Sequence, residues 1–321
     1  MVDKLQLQEE IRIFREILEN RYNPSQIATF LTELKIENVT CEEIAAFANL
    51  MKEKMVKISS KVKNLVDTAG TGGDGNHTFN ISTASAIVAA GAGVNIAKHG
   101  NRSASSKCGS SDVLEALGVK IDLEPKAVEK QIEEIGIGFL FARIYHPAMK
   151  NVAEARRELG FKTIFNVLGP LTNPANAKRQ VIGVYDASLL EKLSKSVREI
   201  GTEKTLIVSS DTDEISISAD TNISEISNYK INLYSISPED FGFKRSSLDK
   251  ICANDRKESA NIILEVLNCK EGPAREIVLL NAGAAIYVSG IAGSIRYGVT
   301  LAEKSIDSGK SLEKLEMLRR Y

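Results

Sequence analysis

The sequence predicts an α/β fold in two parts: a small helical domain, then a larger α/β domain with a mainly parallel sheet. Through the first sixty residues, apolar side chains recur at helical spacing. Beyond Leu65, short apolar runs alternate with amphipathic stretches, the pattern of strands covered by helices.

In the helical part, Ile11, Phe14, Ile17 and Leu18 mark one apolar face. Asn23-Pro24 reads as an N-cap with proline at the first helical position, ahead of Ile27, Phe30, Leu31 and Leu34. Thr40 and Glu43 form a capping box before Ile44, Phe47 and Met51. Strands are expected at Leu65 to Thr68, Val94 to Ala97, Ile137 to Phe141, Val181 to Tyr185 and Leu206 to Val208. Helices are expected around Ile81 to Ala90, Ser111 to Leu117, Ala127 to Ile135 and Ser188 to Ile200, with Gly118, Gly136 and Gly160 placed as C-caps. Pro147 to Leu159 reads as another helix, and Gly169 to Pro174 as an irregular linker. The expected division is 1–62 for the helical domain, joined by a returning segment around 127–170, and 63–321 for the α/β domain. A cleft is expected between them.

Composition sets limits. Lysine plus arginine number 41 against 42 acidic residues, a formal charge of −1, which argues against a dedicated nucleic-acid binder. Cys41, Cys108, Cys252 and Cys269 are scattered without metal-site spacing, so reduced thiols are expected. Met1 to Glu10 is charged and polar, so no secretory signal is expected and the location is cytoplasmic. Ile277 to Ile295 carries no charge and is long enough to span a membrane. Asn281, Ser289, Gly283, Gly290 and Gly293 interrupt it, so it reads as a buried core helix followed by a turn.

Between the first strand and its helix, Gly70-Thr71-Gly72-Gly73-Asp74-Gly75 formally matches a dinucleotide fingerprint. A Rossmann site needs an immediate helix and an acidic residue about 20 positions on. Here Asn76 to Asn80 delay the helix, and the next acid after Asp74 is Asp112. The nicotinamide reading therefore falls away, leaving an anion-binding loop or a tight turn with a capped helix. Glycines let backbone N–H groups approach phosphate oxygens, and Asn80, Ser82 and Thr83 add donors at a helix N-terminus. At the end of the next strand, Lys98-His99-Gly100-Asn101-Arg102 supplies charge for phosphate or for Asp74, followed by Ser103, Ser105, Ser106 and Lys107. Ser110 and Ser111 are placed to cap the helix that follows.

These segments, with Asn80-Ile81-Ser82-Thr83, Ser105 to Gly118, Thr163 to Pro170, Asp213-Glu214 and Leu280 to Gly290, strongly resemble the anthranilate phosphoribosyltransferases. The resemblance runs through nearly the whole chain. It implies the nucleoside phosphorylase/phosphoribosyltransferase-like arrangement of a helical domain beside an α/β domain, in a homodimer joined through the helical parts. It also implies a reaction of tryptophan biosynthesis: anthranilate takes the phosphoribosyl group from phosphoribosyl pyrophosphate, with magnesium, as a pair of ions, required. By motif, Gly70, Gly73, Asp74, Thr78, Asn80, Ile81, Ser82, Thr83, Lys98, Asn101, Ser106 and Ser110 are implied contacts of the phosphoribosyl donor. Ser82, Asp213 and Glu214 are implied metal ligands, and Gly70, Asn101 and Arg156 implied anthranilate contacts. Two features depart from the family pattern. Cys108 stands where a serine or another small residue is usual, and Ser209-Ser210-Asp211-Thr212 lacks the glycine-rich approach to the acidic pair.

The chemistry agrees with that resemblance. A pyrophosphate leaving group carries several charges, which magnesium, Lys98 and backbone donors stabilise electrostatically. The adjacent Asp213 and Glu214 can act together only on a turn, because neighbouring strand residues face opposite ways. The acceptor amine is aromatic and mostly unprotonated near neutral pH, so no acid/base residue is assigned; His99 reads either as a substrate hydrogen-bonder or as a structural histidine. A pyrimidine nucleoside phosphorylase shares the fold and phosphate loop but lacks the Lys98 to Arg102 segment. A nucleic-acid-binding relative would lose the glycine signature and gain basic surface. No nucleic-acid or membrane partner is expected.

Overall fold

The second and third helices start where the sequence places their caps. In the computed structural model, which describes residues 4–102 and 108–321, Asn23 accepts from the Gln26 amide at 2.9 Å and the Gln26 side chain returns to the Asn23 amide. Thr40 and Glu43 close the same reciprocal box. Each box satisfies two amides that a helix start leaves unpaired. The three helices Lys4–Leu18, Pro24–Glu33 and Cys41–Lys54 then bury their apolar stripes together. Phe14 stacks on Phe47 at 4.4 Å and on Phe165 at 5.4 Å, so a distant segment completes this core. Val152, Ala155, Ile164, Leu168 and Leu171 share it.

The sheet comprises β1 (Val66–Gly70), β2 (Ile96–Gly100), β3 (Ile137–Phe141), β4 (Arg179–Gly183), β5 (Lys204–Ser209), β6 (Thr221–Ser227) and β7 (Lys230–Ile236). Its order is β3-β2-β1-β4-β5-β6-β7, parallel through β5, with β6 and β7 antiparallel. Alternation divides the faces. Val181, Leu206 and Val208 enter a core with the helices Ile81–Gly91 and Pro273–Ser289, whereas Ile182, Val184 and Ile207 join the core of the N-terminal helices. The chain order reverses between β1 and β4, and ligands of open α/β sheets bind outside the strand ends at such a point.

Several elements differ from expectation. β1 extends to Gly70 and β2 runs from Ile96 to Gly100, so Lys98 and His99 lie within a strand and face opposite sides of the sheet. Pro147–Val152 is a 3-10 helix leading into the α-helix Ala153–Leu159. Gly169 and Pro170 lie inside the helix Phe165–Leu171 rather than in a linker. Buried Val167, Leu168 and Leu171 hold that turn against local propensity. Within 127–170, β3 belongs to the sheet, so the part that packs with the N-terminal helices begins beyond Phe141. The segment read as a core helix and turn is the helix Pro273–Ser289, ended by Gly290 at φ +91°. Among the described residues, no helix is long and apolar enough to cross a membrane.

Candidate active site

The site is assembled at the carboxyl ends of β1, β4 and β5. Gly70 and Gly183 pair as the last residues of β1 and β4. Beyond Gly70 the backbone turns through Gly72 (φ +63°), Gly73 (φ +83°) and Gly75 (φ +81°), a left-handed path that side chains oppose. The loop is tied down on one side, where Thr71 N donates to the Gly183 carbonyl at 2.8 Å. Asn76 donates to the Asp74 carboxylate at 3.2 Å and to the Asp211 carbonyl at 2.6 Å. Thr78 forms an isolated bridge with Cys252. The Gly72 amide donates to Asp213 Oδ2 at 3.0 Å, so this loop already serves an anionic oxygen.

Asn80 caps the helix Ile81–Gly91 by accepting from the Thr83 amide at 3.1 Å, and its own amide donates to Ser259 Oγ at 2.9 Å. Ser82 follows with its hydroxyl turned to the site. Thr83 differs from expectation as a side-chain donor: its hydroxyl is buried in the core without a hydrogen-bond partner among the described residues. The helix's rotation of about 100° per residue carries it past the open face. The Ile81 side chain is likewise in the core, leaving only its backbone toward the loop.

Lys98 rises from β2 beneath this helix start. Its ammonium donates to the Thr68 carbonyl at 2.5 Å, to Thr68 Oγ1 at 3.3 Å and to Ser82 Oγ at 3.2 Å. Burial lowers its pKa, while Asp67 and Glu214 favour the charged form. Asp67, on the other face of β1, accepts from the His99 amide at 3.0 Å and from Asn173 Nδ2 at 2.8 Å. Burial pushes its pKa up to about 6.

Asp213 and Glu214 lie on an irregular turn after β5, as the adjacent pair requires. Hydroxyls take the place of glycines in forming that turn. Ser210 Oγ donates to the Glu214 carbonyl at 3.0 Å, and the Glu214 amide donates to Thr212 Oγ1 at 3.1 Å. Buried Asn281 then clamps the next residue, accepting from Ile215 N and donating to Ile215 O, both at 2.9 Å. Burial and the neighbouring Asp74 raise Asp213 to about 6. Burial and Asp213 hold Glu214 well above the usual carboxylate range, with Lys98 and the Ser82 amide opposing.

Two mutually repelling carboxylates beside a phosphate-sized loop fit a divalent cation. Among the described residues no three metal-ligating side chains converge on one point. Magnesium suits this donor set, because it commonly takes one or two carboxylates and completes its shell with substrate phosphates and waters.

The structure brings Gly70, Gly73, Asp74, Asn80, Ser82, Lys98, Asp213 and Glu214 to one place. Asn101 and Ser110 meet each other beside it, Ser110 Oγ donating to the Asn101 carbonyl at 3.3 Å. The helix they lead into is capped at Gly109 by Asp112, rather than by Ser110 or Ser111. Arg102 is held by Asp112 and Glu115 at 2.9 and 2.6 Å. Ser106, with Ser103, Ser105 and Lys107, lies outside the described residues. Arg156 stands on the helix Ala153–Leu159, its guanidinium 5.3 Å from the Phe165 ring centroid. Among the described residues it has neither an ion pair nor a hydrogen bond joining it to the loop. Burial lowers its pKa.

Sequence reasoning missed Gly183, Asn281, Asp67 and Asn173, all of which act by holding the site from below. Only Gly183 left a signal, as a glycine inside the apolar run Val181 to Tyr185.

Fold and site together define a phosphate-gripping glycosyltransferase. Residues 3–55 match the helical bundle domain of the glycosyl transferase family, and residues 62–312 match that family's a/b domain. The chain is 50% identical over 306 residues to the anthranilate phosphoribosyltransferase of Methanocorpusculum labreanum, covering 95% of this chain and 90% of that protein. It is 48% identical to the Acetivibrio thermocellus enzyme of the same name, covering 94% and 88%. Among solved structures, anthranilate phosphoribosyltransferase from Thermus thermophilus superposes with a TM-score of 0.93 at 38% identity, over 98% and 94% of the two chains. The Saccharomyces cerevisiae enzyme in complex with PRPP and Mg gives 0.88 at 28%, over 97% and 91%. The chain belongs to the anthranilate phosphoribosyltransferase family.

Proposed function

We propose that the chain transfers the phosphoribosyl group of phosphoribosyl pyrophosphate to anthranilate, releasing pyrophosphate, as a step of tryptophan biosynthesis. The carrying observation is the Asp213 carboxylate seated on the Gly72 amide above the Lys98–Ser82 contact. A loop amide, a buried cation and a helix N-terminus meet there, as a pyrophosphate leaving group requires, and the Asp213 oxygen would hold the magnesium that offsets its charge.

In this reading, Gly70, Gly73, Asp74, Thr78 and Asn80 shape the donor loop, and Lys98 steadies the departing pyrophosphate charge. Ser82, Asp213 and Glu214 hold magnesium, as a pair of ions, which neutralises phosphate charge when bound. Asn101 and Ser110 border the donor, with Ser106 a further contact that the resemblance implies, and Arg156 with Asn101 receives the acceptor's carboxylate. Support for Arg156 comes from its half-buried guanidinium, which has no carboxylate partner among the described residues. Positioning and leaving-group stabilisation supply the rate, without a general base.

The same reading takes 1–62 with the returning segment as the helical part, works as a homodimer through it, and acts in the cytoplasm. Shared burial of the N-terminal helices with Val152 to Leu171 supports the division. The test follows the fluorescence of anthranilate with phosphoribosyl pyrophosphate and magnesium. Donor-dependent loss that chelation abolishes is expected. No such loss, with phosphorolysis of thymidine instead, would assign the chain to the nucleoside phosphorylases.

A further inference from the structure

Lys162 reaches from the helical side of the molecule into the glycine loop. Its own backbone segment is fixed to the end of the second helix. Ile36 N donates to the Lys162 carbonyl at 3.5 Å, Lys35 bridges Thr163, and Ile164 N donates to the Leu34 carbonyl at 3.1 Å. The ammonium crosses to the other side, donating to the Gly73 carbonyl at 3.2 Å and sitting 3.0 Å from the Tyr185 ring centroid. Tyr185 in turn donates its amide to Thr71 Oγ1 at 3.3 Å. One lysine–tyrosine contact thus fastens the loop at both Thr71 and Gly73.

A tight backbone turn can bring neighbouring amides into one concavity, which binds anions when the carbonyls are held elsewhere. Gly72 and Gly73 make such a turn, and the Gly73 carbonyl is the one Lys162 holds. A Cβ on Gly73 would touch the lysine, 3.4 Å from Nζ, but its φ of +83° is what opposes a side chain there. Partial burial lowers the pKa of the ammonium, and the charges of Asp186, Asp213 and Asp74 oppose that shift.

We propose that Lys162 is a positioning residue of the donor site: bound to the Gly73 carbonyl and seated on Tyr185, it keeps the loop amides turned toward pyrophosphate and ties the loop to the helical side. The assignment rests on the phosphoribosyl-transfer reading and adds a residue to it. A charge-assisted hydrogen bond is the stronger kind, and this one sets the loop before the donor arrives.

The test compares Lys162→Met, which keeps the stem on Tyr185, with Lys162→Arg, which keeps the charge. Steady-state kinetics with both substrates are read beside calorimetric titration with magnesium pyrophosphate. Lys162→Met is expected to raise the KM for the donor about tenfold and to weaken pyrophosphate binding comparably. The KM for anthranilate stays nearly unchanged, and Lys162→Arg recovers most of both losses. Unchanged donor KM and pyrophosphate affinity in Lys162→Met would overturn the assignment. So would an equal rise in both KM values that arginine does not rescue. The titration needs no turnover, so it tests Lys162 independently of the acceptor, whereas wild-type consumption of anthranilate tests the reaction itself.

Discussion

Asp213 packs against Gly183 so closely that β4 has no room for a side chain there: a Cβ on Gly183 would overlap the Asp213 carbonyl oxygen. Gly70, its partner across the β1–β4 pair, meets the same aspartate, since a Cβ there would lie 2.7 Å from Asp213 Oδ2. The two contacts differ in kind. At Gly70 the obstacle is the end of a side chain, which can swing away. At Gly183 it is backbone, which can move only with the turn. Gly183→Ala is therefore expected to displace the acidic turn, costing about 1–3 kcal/mol of stability and most of the magnesium-dependent activity. Chemical denaturation and a magnesium titration of activity check this, and an alanine variant with wild-type magnesium dependence would refute the packing argument.

Arg156 supplies the second expectation. Its guanidinium rests on Phe165 with no carboxylate paired to it among the described residues, so a ligand carboxylate would find an unspent cation. Arg156→Ala is expected to raise the KM for anthranilate roughly ten- to hundredfold, the range of a lost hydrogen bond to a charged group. The KM for the donor should change much less. Equal effects on both substrates would remove Arg156 from the acceptor side.

How far the sequence reaches depends on the range of each contact. The Asn80 cap, the Thr40–Glu43 box and the left-handed run of Gly72, Gly73 and Gly75 are local, and each is readable from a few adjacent residues. The ends of β1 and β2 depart from expectation because Lys98, His99 and Gly70 look like loop residues. Burial and pairing with neighbouring strands draw them into the sheet. Asp67 with Asn173, Gly183 with Asp213 and Lys162 with Gly73 join residues far apart in the chain. No spacing rule marks such partners. The atypical Ser209 to Thr212 segment resolves in the same way, since its hydroxyls supply turn-forming hydrogen bonds where the related pattern uses glycine.

Asn281 provides a third test, removed from any substrate. Its amide pairs both backbone groups of Ile215, directly after Glu214, and also donates to the Ile277 carbonyl at 2.9 Å. Asn281→Leu keeps the branched shape but strands the buried Ile215 groups, at roughly 1–3 kcal/mol each. The expected result is a lower unfolding midpoint together with weaker magnesium dependence, because the clamp and the acidic pair are consecutive in the chain. Lost stability with unaltered magnesium affinity would show that the turn holds its shape without the clamp.

Acid stability gives the last. His99 and His146 are buried with ring centroids 5.0 Å apart, and each leaves Nε2 buried without a hydrogen-bond partner among the described residues. Burial pushes their pKa values down, to about 3 for His99 and about 4 for His146. An unfolded histidine titrates near 6.5, so between about 6.5 and 4 the unfolded chain binds protons that the folded chain refuses. A group depressed on folding contributes stability that is full above the unfolded pKa and is lost as pH falls toward the folded one. Asp67 runs the other way: raised to about 6, it takes up its proton in the folded state first and recovers part of that loss between about 6 and 4. His146→Asn removes one histidine proton while keeping a side-chain donor for the Thr172 carbonyl that now holds the ring. The variant should therefore lose less stability on acidification than the wild type, by about 1.4 kcal/mol per pH unit across that window. Urea unfolding at pH 7, 6 and 5 measures the difference. Parallel stability curves for the two proteins would mean that His146 accepts its proton in the folded state as readily as in water.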